Sequence, residues 1–221
     1  MNIADRLTSI RLEIPESVKL VAVSKTKSVD TILEAYYSGQ RIFGENKVQE
    51  MVEKQAQLPT DIEWHHIGHL QTNKVKYMAS FISMIHAVDS MKLLVEINKQ
   101  AEKSGRTIPC LLQIHIAEEE TKFGLSEEEL FSFLDDMALI NLDHVKISGL
   151  MGMASLTDDE SRIRQEFHAL RQLFEWVSAR YQEAFPLFKE LSMGMSGDYR
   201  IAMEEGSTMI RVGSLIFGSR H

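Results

Sequence analysis

Short apolar runs alternate with longer amphipathic stretches from one end of the chain to the other. Residues Met1–Ile14 carry apolar positions at helical spacing, and Lys19–Ser24 follows as a strand rich in β-branched and small residues. Val29–Ser38 reads as a helix closing at Gly39, Arg41–Gly44 as a short strand, and Lys47–Gln57 as a polar helix. The pattern predicts further strands at Ile62–Ile67, Met84–Val88, Ile108–Ile116 and Val145–Leu150. Between and after them it predicts helices at Thr72–Ser80, Lys92–Lys103, from Ser126 onward, and at Ser161–Phe185. Ser126 with Glu129 three residues on has the form of a capping box. Strands at Glu190–Met193 and Met209–Val212 flank a last helix at Tyr199–Glu205.

That makes about eight β/α units. Repeated β/α alternation requires crossover connections and hence a parallel sheet, and eight units suggest closure into a (β/α)8 TIM barrel. A doubly wound open sheet is the alternative. Neither a Gly/Pro-rich linker nor a low-complexity run or repeat marks a boundary, so residues 1–221 are expected to form one domain.

In such barrels the chemistry gathers where the strands end. The first strand, Val21-Ala22-Val23-Ser24, delivers Lys25 at its carboxyl end, with Lys27 close behind. Burial would favour the neutral amine, a nucleophile toward carbonyls. Equally, Lys25 could leave the strand and snorkel to water. The second strand ends in Gly44-Glu45-Asn46, the third in the HIGHLQTN run, and the sixth in Gly149–Met153. The seventh ends in Met193-Gly194-Met195-Ser196-Gly197-Asp198 and the eighth in Arg211-Val212-Gly213-Ser214. Gly and Ser in both of the last two loops, beside Arg211, suit a phosphate held by backbone N–H groups and hydroxyls. Tight turns alone would also account for the glycines. Ser196 lacks the spacing of a nucleophile elbow. His65, His66 and His69 match no metal template, and no metal is expected.

The net charge of −8 argues against a general nucleic-acid surface while leaving room for a local basic pocket. Cys110 is the single cysteine, so no internal disulfide exists; it reads as a core thiol in a reducing compartment. The amino-terminal segment lacks the layout of a signal peptide, and no apolar run is long enough for a membrane helix. A cytoplasmic monomer, binding neither nucleic acid nor membrane, is expected.

AVSKTK at 22–27, FGENKVQE at 43–50, WHHIGHLQTNK at 64–74, GLMGM at 149–153, LSMGMSGDY at 191–199 and IRVGSLIFGSR at 210–220 together resemble one family. It is that of the pyridoxal-phosphate homeostasis proteins, whose single domain is similar to the barrel domain of bacterial alanine racemase. The resemblance implies that Lys25 forms the internal aldimine with pyridoxal 5′-phosphate. It makes Ser196, Gly213 and Ser214 the phosphate cradle and Arg211 the partner of the pyridine nitrogen, with Asn46 and Met151 near the ring. One departure is Ile114-His115-Ile116, where the family often has Val-Asn-Ile; Glu119, Lys122 and Gly124 fit the pattern. Arginine does not readily protonate the pyridine nitrogen, so the ring would be a weaker electron sink than with an aspartate.

The expected function is therefore to hold, buffer and pass on pyridoxal phosphate, with PLP-dependent apo-enzymes as recipients and without substantial turnover. A single-domain amino-acid racemase is the alternative. The resemblance weighs against it, because the racemases add a second, β-rich domain carrying a catalytic tyrosine, whereas this chain ends at His221. A cofactor-free sugar-phosphate barrel enzyme is the third reading.

Overall fold

Eight short strands, each parallel to the next, close into a barrel in the computed structural model, which describes residues 2–118, 123–137 and 140–218. The strands are β1 (Lys19–Val23), β2 (Ile42–Glu45), β3 (Glu63–His66), β4 (Met84–Val88), β5 (Ile108–Ile114), β6 (Val145–Gly152), β7 (Glu190–Ser192) and β8 (Met209–Val212). Closure is visible at Ala22, which is in register with Phe43 on one side and Val212 on the other. The helices are α1 (Ile3–Glu13), α2 (Val29–Tyr37), α3 (Val48–Gln55), α4 (Met91–Lys103), α5 (Glu127–Met137), α6 (Glu160–Arg180), α7 (Tyr199–Glu204) and α8 (Ser214–Phe217).

Local chemistry fixes several of these boundaries. Asn2 and Asp5 form a capping box at α1, and Ser126 and Glu129 form another at α5. Asp159 caps α6 through two backbone N–H groups. The expected helix over Thr72–Ser80 is a 3-10 helix over Thr72–Tyr77, followed by turns that bury Met78, Ala79 and Ile82 beside Val75. The last long helix stops at Arg180, short of the expected Phe185; beyond it Tyr181 and Phe185 stack with ring centroids 5.9 Å apart. β5 ends at Ile114, two residues early, and α8 was absent from the sequence pattern.

Two apolar shells result. The outer one lies between strands and helices and includes Phe43, Trp64, Ile85, Leu94, Phe167 and the fully buried Cys110, whose thiol pKa burial pushes up. The inner one fills the barrel with Val21, Met84, Ala87, Leu111, Met151 and Met209. Alternation along each strand sends successive side chains to one shell and then the other.

The β5–β6 register steps from Cys110↔Ile147 to Leu111↔Gly149, so Ser148 is an extra residue and β6 bulges there. Gly149 has φ +154°, and a Cβ on it would sit 1.7 Å from the Glu190 carbonyl oxygen of β7. Gly149→Ala is therefore expected to destabilise the fold by roughly 3 kcal/mol or more, combining backbone strain with displacement of a neighbouring strand. A urea titration compared with the parent chain measures this.

Candidate functional site

Parallel strands all end on the same side, and at that mouth lies a cavity of about 330 Å³. This volume is at the lower end of small-molecule sites. Its wall contains Val23 at the end of β1, Lys25 and Lys27 just after it, Asn46 after β2, Ile67 after β3 and Met153 and Leu156 after β6. Met195, Ser196 and Gly197 come from the loop after β7, and Arg211, Gly213 and Ser214 from β8 and the start of α8. Six of the seven residues expected at the site from the sequence thus meet in one cavity.

Lys25 reaches it from just past the end of β1. The strand stops at Val23, and Lys25 occupies a turn two residues on, half-buried rather than enclosed in the sheet. The turn is tight: Lys27 N–H donates to the Ser24 carbonyl at 3.0 Å, and Thr26 takes φ +66°. A β-branched residue rarely adopts that conformation, so neighbouring contacts must hold it. Lys27 also faces the cavity while its Nζ lies 3.3 Å from the Phe217 carbonyl oxygen at the end of α8.

At the opposite wall Gly213 N–H donates to Ser196 Oγ at 3.2 Å, tying the loops after β7 and β8 together. A Cβ at Gly213 would lie 3.1 Å from the Val23 carbonyl oxygen and 3.2 Å from Val23 Cβ, so a side chain there would crowd β1. Two serine hydroxyls and the cations Lys25, Lys27 and Arg211 share this small volume. Such a wall suits an anion bearing several acceptor oxygens. Asn46 Oδ1 is a buried acceptor without a hydrogen-bond partner, open to a donor from a ligand.

Arg211 is buried, and burial lowers its pKa to about 10, against the favourable charge of Asp198. One guanidinium nitrogen donates to Ser192 Oγ at 2.6 Å and the other to the Gly152 carbonyl at 3.0 Å. Ser192 Oγ lies 3.1 Å from His86 Nδ1, and His86 Nε2 lies 2.9 Å from His65 Nδ1. A guanidinium only donates, so Ser192 accepts from Arg211, and the tautomers of His86 and His65 set the direction of the two bonds beyond it. A polar column thus descends from the cavity through the inner core. The column's other members, His86 and Ser192, were missed in the sequence because each sits inside an apolar strand. The available signal was a polar residue at an inward-facing position.

Met151 does not line the cavity. Two residues before Met153 on β6, it is fully buried in the inner core, and Met153 takes the wall position. The three histidines in and just after the third strand diverge: His65 joins the column, His69 pairs with Asp89 at 3.5 Å and stacks on Phe123, and His66 is buried. Among the described residues no His, Cys, Asp or Glu cluster could hold a metal ion. His115 N–H donates to the Leu125 carbonyl at 2.9 Å, and a Cβ on Gly124 would meet His115 N at 2.6 Å, so this pair is closely seated. Glu119 and Lys122 lie outside the described residues.

The whole chain, residues 1–221, matches the family described as alanine racemase, N-terminal domain. The pyridoxal phosphate homeostasis protein of Aquifex aeolicus is 37% identical over 234 residues, covering 100% of this chain and 99% of its own length. That of Vibrio alginolyticus is 41% identical over 212 residues, covering 93% of this chain and 88% of its own. The solved structure of PipY from Synechococcus elongatus with PLP bound superposes with a TM-score of 0.87 at 39% identity, covering 98% of this chain and 100% of that one.

The buried histidines make stability depend on pH. Burial holds His65 at a pKa of about 3 and His66 at about 4, and keeps His86 well below the ordinary imidazole value. Each is higher in the unfolded chain, at about 6.5, so the unfolded state takes up protons first as pH falls. Their contribution is fully present above about pH 6.5 and is lost as pH falls toward 4 and below, at up to about 1.4 kcal/mol per pH unit for each group. Glu45, raised by burial, opposes this as a single group. The urea midpoint is expected to be clearly lower at pH 5 than at pH 7.5, with net proton uptake on unfolding.

Proposed function

The chain belongs to the alanine racemase N-terminal-domain family, and from that premise we propose that it is a pyridoxal phosphate homeostasis protein: one domain over residues 1–221 that holds the cofactor and releases it to other proteins. The observation that carries this reading is the convergence of Lys25, Arg211, Ser196 and Ser214 on one cavity at the barrel mouth.

Pyridoxal phosphate, when bound, supplies an aldehyde that an amine can bond and a ring that delocalises negative charge. The residues present fit it. Lys25 presents an amine to the cavity. Ser196 and Ser214 offer hydroxyls to the phosphate, with Lys27 and Gly213 beside them. Arg211, fixed by Ser192 and the Gly152 carbonyl, would be the partner of the ring nitrogen. Asn46 offers its unpartnered oxygen to the ring substituents. The apolar side chains of Val23, Ile67 and Met153 exclude water from the ring face.

The composition of the wall supports retention rather than turnover. Among the described residues its titratable groups are Lys25, Lys27 and Arg211, with no carboxylate, imidazole or phenol facing the cavity. Lys25 can accept a proton on one side of a bound amino acid. No second acid or base stands across from it among these residues. A carrier acting in the cytoplasm as a monomer, with PLP-dependent apo-enzymes as recipients, accords with this chemistry. No helix among the described residues is long and apolar enough to cross a membrane.

The protein is expected to acquire visible absorbance with pyridoxal phosphate, and borohydride reduction should fix the phosphopyridoxyl group on Lys25, as located by peptide mass spectrometry. Lys25→Ala abolishes this attachment; finding the label on Lys27 alone would overturn the assignment. Ser196→Ala and Ser214→Ala should each weaken binding about ten- to a hundred-fold, the worth of a hydrogen bond to a charged group.

With L- or D-alanine in deuterated buffer, loaded protein should exchange the α-proton at no more than a trace rate. One acid–base group is commonly worth about a hundred- to ten-thousand-fold. Fast inversion that disappears in Lys25→Ala would make the chain a racemase instead.

A further inference from the structure

The FGENKVQE segment contributes more than Asn46. Lys54, buried on α3, directs all three ammonium hydrogens at acceptors: the Ser24 carbonyl at 2.8 Å, Glu45 Oε1 at 2.7 Å and Glu50 Oε1 at 2.7 Å. Glu45 Oε1 also accepts from Ser24 Oγ at 2.6 Å, and Glu50 Oε1 accepts from the Thr26 N–H at 2.5 Å. Residues 24 and 26 are therefore gripped on either side of Lys25, through a carbonyl, a hydroxyl and an amide. Thr26, the one non-glycine residue with positive φ among those described, sits within this grip. Conformations of that kind cost about 1–3 kcal/mol and persist where surroundings over-determine them.

We propose that Glu45, Glu50 and Lys54 are positioning residues that clamp the 24–26 turn so that the Lys25 amine stays aimed at the aldehyde position of the cavity. This rests on the reading that Lys25 is the amine holding pyridoxal phosphate. None of the three faces the cavity, so they act through the turn alone. The wall opposite, with Ser196 and Ser214, is carried by other strands. Covalent capture at Lys25 is therefore separable from recognition of the phosphate.

Two ligands resolve the two effects: pyridoxal 5′-phosphate, and pyridoxine 5′-phosphate, which has an alcohol in place of the aldehyde and gains nothing from Lys25. Titrations of both are made on the parent chain and on Glu50→Ala, a change at a half-buried position that removes the acceptor for Thr26. The expected result is a loss of at least about tenfold in affinity for the aldehyde. Affinity for the alcohol should stay within about twofold, and exchange of the Thr26 amide hydrogen should be faster. Should Glu50→Ala not fold, Glu50→Gln keeps size and an acceptor and is expected to give the same selective loss, at least about threefold.

Equal affinity of parent and variant for the aldehyde overturns the clamp, as does a parallel loss for both ligands, which a merely structural role would give. A parent chain that bonds no pyridoxal phosphate at Lys25 overturns the proposed function and the clamp together. A parent that bonds it beside an unchanged variant overturns the clamp alone.

Discussion

Closure of the parallel sheet is the constraint on which the molecule depends. β1 must satisfy β2 along one edge and β8 along the other, and the register at Ala22 meets both demands. With no free edge, every strand delivers its following loop to one rim. Residues separated by nearly the whole chain, such as Val23 and Gly213, become neighbours whose spacing depends on backbone packing rather than on flexible linkers. The Ser148–Gly149 bulge and the bare Gly213 are both concessions to this closeness.

A barrel interior is a costly place for a full charge, and this one contains Arg211. Its hydrogen bonds go to a hydroxyl and a carbonyl, and the imidazoles beyond them are kept neutral by burial. The cation is solvated by protein dipoles instead of being cancelled by a contacting carboxylate. Its positive potential is therefore left facing the cavity, beside two lysines, on a chain whose net charge is −8. An anion finds its favourable field at the mouth and not over the surface at large.

The fold was legible because closely spaced β/α units leave few topologies, and strand ends then point to residues regardless of their neighbours. Lys25, Asn46, Ser196, Arg211, Gly213 and Ser214 all stood out that way. What escaped reading was set by side-chain direction. Met151 and Met153 are equivalent on paper, but two residues of strand separate the packed interior from the cavity wall. His86 and Ser192 vanish into apolar runs that hydropathy reads only as strand. Lys54 lies in a stretch that reads only as a polar helix, and the packing of α3 brings its ammonium under the β1 turn. The left-handed Thr26, which turns the chain just after Lys25, is announced by no pattern.

Cys110 gains meaning in this setting. It is the lone sulfhydryl of the chain, closed inside the outer core with its ionisation suppressed. A thiol reacts as thiolate and only where reagents reach it. The thiol is thus shielded from oxidants: copies do not cross-link through it, and no thiolate competes with amines for an electrophilic carbonyl. Capture of such a ligand by an amine is consequently independent of thiol–disulfide exchange around the protein.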